Sequence, residues 1–100
     1  MMSDVVVVCV ADPGGGAWTC AVRVVEPDGS TDHEVLVDEI DLPAALDGAD
    51  TADVERLVSA TFAFLLEHEP KESILRRFDL SLVRRYFPDY PAEIARRVGG

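Results

Sequence analysis

The hydrophobic residues of the first 38 positions occur in three short runs, each bounded by turn-forming residues. Residues 5–11 are rich in valine and precede Asp12-Pro13-Gly14-Gly15-Gly16, residues 17–26 precede Pro27-Asp28-Gly29-Ser30, and residues 31–38 alternate in polarity. Runs of this length between short glycine-containing turns predict a three-stranded antiparallel meander. The triple glycine is followed by a strand and not by a helix, so we expect a hairpin loop there and no phosphate site.

The lengths of the two turns predict how these strands pair. The first turn places Cys9 opposite Cys20, and the second places Val24 opposite His33. Both pairings put ten side chains on one face of the sheet, which we predict to be buried. They are Val5, Val7, Cys9, Trp18, Cys20, Val22, Val24, His33, Val35 and Val37.

The other face of the sheet is also apolar along the first strand. Val6, Val8 and Val10 point to it, together with Ala21 and Val25. A first strand at the edge of a meander with two apolar faces needs a cover. We predict that the C-terminal helices or a second copy of the chain covers it, and that the protein dimerises through the first strand or this face.

The second half of the chain has helical spacing. Residues 51–69 predict one long helix capped by Asp50 or Thr51, and residues 71–98 predict two or three short helices. The first of these helices covers residues 71–78. The second helix is capped by Asp79 or Ser81 and ends before Pro88, and a last helical turn runs from Pro91 through Val98. The expected architecture is a single α+β domain over residues 1–100, with its sheet within residues 3–38.

Charge is distributed unevenly along the chain. Residues 1–69 hold fifteen acidic groups against two arginines, a net charge of −13, whereas residues 70–100 hold seven basic groups against four acidic ones, a net of +3. The basic groups of the second part include the pairs Arg76-Arg77 and Arg84-Arg85. We expect these arginines to contact an acidic surface, of this chain, of its twin or of another acidic protein.

Composition restricts the possible partners and locations. A net charge of −10 disfavours non-specific binding to nucleic acid or to an anionic membrane. The sequence contains neither a secretory signal pattern nor an apolar stretch of the ~18 residues that a transmembrane helix needs. Two cysteines without metal-ligand spacing predict a reducing compartment and therefore the cytoplasm.

No group of residues has the pattern of a catalytic, cofactor or metal site. Cys9 and Cys20 could form a disulfide or a redox pair, but we favour two buried, reduced thiols because CxxC is absent. His33 and His68 have no nucleophile beside them, and we interpret both as structural. Six carboxylates lack the spacing of a calcium loop and predict a solvated acidic rim: Asp38, Glu39, Asp41, Asp47, Asp50 and Asp53. We therefore expect a non-enzymatic interaction or regulatory module.

Two further functions remain open at this level. Phe78-Asp79-Leu80-Ser81 between two short arginine-bearing helices could be the turn of a helix-turn-helix motif, although Pro88 cuts the second helix short. Gly99-Gly100 could be the tail of a sulfur carrier or protein modifier, but a glycine is also an ordinary helix stop. The alternatives are thus a DNA-associated regulator and a carrier protein.

Two segments resemble known families. The stretch FLLEHEPKESILRRFDL at residues 64–80, followed by Tyr86-Phe87-Pro88, resembles a family of small uncharacterised actinobacterial proteins, and this resemblance implies no activity. Three strands followed by a helix that begins after Gly48-Ala49-Asp50-Thr51 are similar to the HicB-type antitoxin domain. That resemblance implies an α+β fold and an antitoxin-like regulator, although the Pro-Gly-Cys turn and the Glu-Glu-Ala helix start of that family are missing.

Overall fold

The fold is a β-sheet with helices on one face. The structure is a computed structural model, and it describes residues 4–42 and 50–99. The strands are β1 (Asp4–Ala11), β2 (Ala17–Glu26), β3 (Gly29–Asp38) and β4 (Arg77–Asp79), in the order β1-β2-β3-β4. The helices are α1 (Thr51–His68), α2 (Ser81–Tyr86) and α3 (Tyr90–Gly99), with short 3₁₀ segments at Glu39–Asp41 and Lys71–Ser73. This confirms the α+β class. Residues 1–3, 43–49 and 100 lie outside the described residues. The predictions that involve Asp47, Gly48 and Gly100 therefore fall outside the described residues as well.

The first hairpin has the predicted register. Cys9 pairs with Cys20 and Val7 with Val22. The predicted inward face is also confirmed, because its side chains on β2 and β3 are buried, while Val5 and Val7 near the edge are half-buried.

The predicted register of the second hairpin is wrong by two residues. His33 pairs with Val22, whereas the sequence had placed it opposite Val24. The connection is shorter than expected because Gly29 has a φ of +143° and already pairs with Glu26, which leaves only two residues in the turn. Side chains alternate with a period of two, so this shift leaves every side chain on its predicted face.

The prediction of a three-stranded antiparallel meander is wrong, because the sheet has a fourth strand that is parallel to β3. The Glu34 N–H donates to the Arg76 carbonyl (2.7 Å) and the Leu80 N–H donates to the Leu36 carbonyl (2.9 Å). The predicted helix at residues 71–78 is replaced by the 3₁₀ segment and this strand. Its apolar residues fit a helix locally, but the open edge of β3 offered unpaired backbone groups that a strand can satisfy.

The long helix begins where the sequence predicts. Asp50 is its N-cap and forms a capping box with Asp53, in which each carboxylate accepts a hydrogen bond from the other residue's N–H. The Val54, Leu57 and Phe62 side chains of α1 are fully buried, and burial of each contributes about 1.5–3 kcal/mol relative to exposure. The helix also contacts α3 through Phe64, whose ring centroid lies 5.5 Å from that of Tyr90. The long helix is therefore buried on more than one side.

The two C-terminal helices complete the helical layer. In α2 the Asp79 carboxylate accepts a hydrogen bond from the Ser81 N–H (3.0 Å), and Val83 is buried. In α3 the Tyr90 and Ile94 side chains are buried. All three helices lie on the inner face of the sheet, so none of them covers Val6, Val8 and Val10.

Candidate functional site

The outer surface of β1 and β2 presents four exposed valines. Val6, Val8, Val10 and Val25 are 54%, 57%, 66% and 38% exposed, and we call this group the valine face. Ala21, which pairs with Val8 across the two strands, adds to it. Arg23 pairs with Val6 and lies between Ala21 and Val25 along β2, so the contiguous apolar part consists of Val6, Val8, Val10 and Ala21. An exposed apolar group on the surface of a sheet is typical of an interaction site.

Apart from Leu36, the outer surface of β3 and β4 is mainly polar, and several of its charges form ion pairs. The Arg23 Nε lies 2.8 Å from the Asp32 Oδ1, and the Arg77 Nε lies 2.9 Å from the Glu34 Oε2. The Arg23 guanidinium lowers the pKa of Asp32, chiefly through their hydrogen bond. The valine face therefore borders a polar part of the same sheet surface, in which charged side chains form ion pairs. Asp4 lies at the end of the valine face, on the same side of β1.

The free edge of β1 is occupied at Cys9. The Cys9 N–H donates to the Glu55 Oε2 of α1 at 2.8 Å. A strand of another molecule would need this N–H in order to extend the sheet. Of the two routes to dimerisation that the sequence left open, the outer face is exposed, whereas the edge has the N–H of Cys9 already hydrogen-bonded.

The predicted partner-binding arginines fall into two groups. Arg77 pairs with Glu34, and the Arg84 Nη2 lies 3.2 Å from the Asp41 Oδ1, so both contact the acidic groups of their own chain. Arg76 and Arg85 are exposed and have no ion pair within residues 4–42 and 50–99. Arg76 and Arg77 do not belong to a helix, which corrects the expectation that a helical segment presents them.

Burial shapes the chemistry around Asp41. The Asp41 side chain is only 5% exposed, so the prediction that it belongs to a solvated acidic rim is wrong. Burial raises the pKa of Asp41, while Arg84 opposes that change. Nearby, the Tyr90 hydroxyl lies 2.8 Å from the Thr61 Oγ1, and burial raises the pKa of Tyr90 to about 12. Tyr90 therefore stays neutral at physiological pH and acts as a hydrogen-bonding group of the core.

Lys71 joins distant parts of the chain, a role that the sequence analysis missed. Its side chain is 3% exposed, and its ammonium lies 2.9 Å from the Glu26 Oε1, 3.0 Å from the Asp28 Oδ1 and 2.7 Å from the Glu72 Oε2. Hydrogen bonds to these carboxylates raise the pKa of Lys71 and lower those of Asp28 and Glu72. The lysine thereby fastens the β2–β3 turn to the segment that precedes β4.

The expectation of two reduced thiols is wrong, because Cys9 and Cys20 form a disulfide. The first register already placed them face to face, and this was the signal that could have predicted the bond. Both cysteines are buried beneath α1, at 6% and 0% exposure. The disulfide also removes the reason for predicting a reducing compartment.

Both histidines have structural contacts. His33 is buried, and its Nδ1 lies 2.8 Å from the Leu75 carbonyl, which can only accept, so Nδ1 donates. The Nε2 atom lies 2.8 Å from the Thr31 hydroxyl and is hydrogen-bonded to it. Both ring nitrogens are used, which leaves none to act as a general base. The exposed His68 ring contacts the ring of Phe64, with centroids 4.6 Å apart.

An apolar groove lies where α1 ends and α2 begins. Its volume is about 440 Å³. The residues that line it are Leu65, Glu69, Ser73, Ile74, Leu75, Phe78, Leu82, Val83, Tyr86 and Phe87. Sequence reasoning missed this groove because it assigned a helix to the segment that forms one of its walls.

Within the described residues, no group of three or more His, Cys, Asp or Glu side chains is placed to hold a metal ion. None of the described helices is long and apolar enough to cross a membrane. Comparisons with protein-family models, curated proteins and solved structures found no match for this chain.

Proposed function

We propose that this protein is a non-enzymatic interaction module that forms a homodimer through its valine face. The observation that carries the proposal is the row of three half-exposed valines on β1, flanked by Val25, on a surface that the helices leave uncovered. Removing apolar surface from water is the main driving force of protein association.

Two copies can meet on this face by a two-fold axis. An isologous contact uses the same patch on both subunits, and two twisted sheets pack face to face at about 10 Å with their side chains interdigitated. Valines suit such a contact because they are branched at Cβ and lose little rotamer freedom on burial. The Glu55 carboxylate on the β1 edge favours this arrangement over a continuous sheet across two subunits.

The net charge of the chain gives the proposal a distinctive salt dependence. Each copy carries a net charge of −10, so two copies repel one another at long range. Salt screens that repulsion, with a Debye length of about 10 Å at 0.1 M, but leaves an apolar contact intact. We therefore expect the dimer to become tighter as salt increases.

Sedimentation of single-site variants tests the proposed dimer. Val8→Lys places a charge at the centre of the valine face, and it should yield a monomer at concentrations where the parent protein is dimeric. Ile40→Lys is the matched control, because Ile40 is 80% exposed outside the valine face. A monomeric parent protein, or equal effects of the two substitutions, would refute the proposal.

A second candidate function is binding of an acidic protein partner through Arg76 and Arg85. It is supported by their exposure and by the absence of ion pairs to either residue in the described part of the chain. Such a contact weakens as salt increases, opposite to the behaviour of the dimer. Duplex DNA is a less favoured partner because α2 has only six residues and the chain is strongly acidic. A carrier tail is also less favoured, since Gly99 belongs to α3.

A further inference from the structure

We propose that the apolar groove binds a small organic cation, namely an aliphatic or aromatic body that carries a protonated amine. The groove lies on the helical side of the sheet, so this proposal is independent of the dimer. Its volume of about 440 Å³ falls within the ~300–1,000 Å³ of typical ligand sites.

The floor of the groove consists of buried apolar side chains. Leu65, Ile74, Phe78 and Val83 line it and are at most 7% exposed, so each is held by the core as well as by the groove. Leu75 forms part of one wall of the groove, and its backbone is held in place by the hydrogen bond from the buried His33 ring to the Leu75 carbonyl. A preformed apolar surface of this kind binds an apolar body without a large ordering cost.

The exposed rim of the groove is apolar as well. Leu75 is 53% exposed and Tyr86 is 70% exposed, and both line the groove. These two side chains can close over a bound ligand by rotation about their own bonds. The ligand then buries more apolar surface than the floor alone provides.

The charge of the groove determines whether a cationic or an anionic ligand is favoured. Glu69 is the only charged residue among the described residues that line it, and Glu69 has no ion pair within that part of the chain. The C-terminus of α1 adds partial negative charge at the same place, because the last carbonyls of a helix lack intrahelical donors. Pro70, which follows, has no N–H to offer them. A protonated amine therefore complements the polar end of the groove, and a carboxylate does not.

Three probes that share one apolar body test this inference on the full chain. They are 4-phenylbutylamine, 4-phenylbutanol and 4-phenylbutanoate, titrated while the backbone amide resonances are followed by NMR. The amine should shift the resonances of Ile74, Leu75 and Phe78, and it should bind about fivefold more tightly than the alcohol, as expected for a partly exposed ion pair. The carboxylate should bind most weakly.

Two variants with the same change in charge identify the cause of this preference. Glu69→Gln should abolish the advantage of the amine over the alcohol, whereas Glu67→Gln, which alters an exposed carboxylate that pairs with Arg97, should leave it unchanged. Equal affinity for the three probes would overturn the proposal. Shifts confined to the valine face, or equal effects of the two variants, would do so as well.

Discussion

The Cys9–Cys20 disulfide should account for a large share of the stability of this domain. The two residues are 11 positions apart in sequence. A cross-link that closes a loop of that size restricts the unfolded chain and stabilises the fold by about 3 kcal/mol in the loop-entropy model. A domain of this size is commonly stable by about 5–15 kcal/mol, so the reduced protein should still fold at 25 °C but with a smaller margin.

Urea denaturation of the oxidised and the reduced protein measures this contribution. With a slope of about 1–3 kcal/mol per M, reduction should lower the midpoint by about 1–3 M. Because both cysteines are buried, reduction should be carried out in denaturant and the protein then refolded with reductant present. The Cys9→Ala/Cys20→Ala variant is the control, since its midpoint should not depend on reductant.

Two results would refute this reasoning. Free-thiol titration that finds two reactive thiols in protein unfolded without reductant would show that the bond does not form. A midpoint that stays the same after reduction, with the loss of the disulfide verified by mass, would show that the cross-link does not restrict the unfolded chain as calculated.

Two smaller predictions concern Lys71 and Asp50. Lys71 lowers the pKa values of Asp28 and Glu72 below their ordinary values of 3.8 and 4.5. The ion pairs therefore stabilise the fold at pH values above 3.8 and 4.5, and this contribution is lost as the pH falls through the lower pKa values of the folded state. The stability gap between the parent protein and Lys71→Met, measured by thermal unfolding from pH 7 to pH 3, should therefore narrow on acidification; a constant gap would contradict this. Asp50→Ala removes the capping box of α1 and should cost about 1 kcal/mol in urea denaturation, whereas Asp12→Ala, in an exposed loop, should cost less. Equal costs would argue against the cap.

Local patterns in the sequence determined much of the fold. Alternation along residues 4–38 determined the three main strands and their inward faces, because a strand repeats every two residues whatever it later packs against. The same alternation identified Val6, Val8 and Val10 as the outer face of β1. Asp50 and the apolar positions after it determined α1, since capping and helical spacing act within a few residues.

Only the tertiary structure decided the features that join distant residues. The segment before Leu80 has apolar positions that fit a helix, yet residues 77–79 form a strand because the edge of β3 satisfies their backbone groups. Lys71 has Glu72 beside it, but Glu26 and Asp28 come to it only through the β2–β3 turn. The disulfide depends on the register of β1 against β2 and on the closeness of the two thiols. The groove forms only where three elements of the fold meet. Such contacts depend on how the whole chain folds, and no short stretch of sequence contains them.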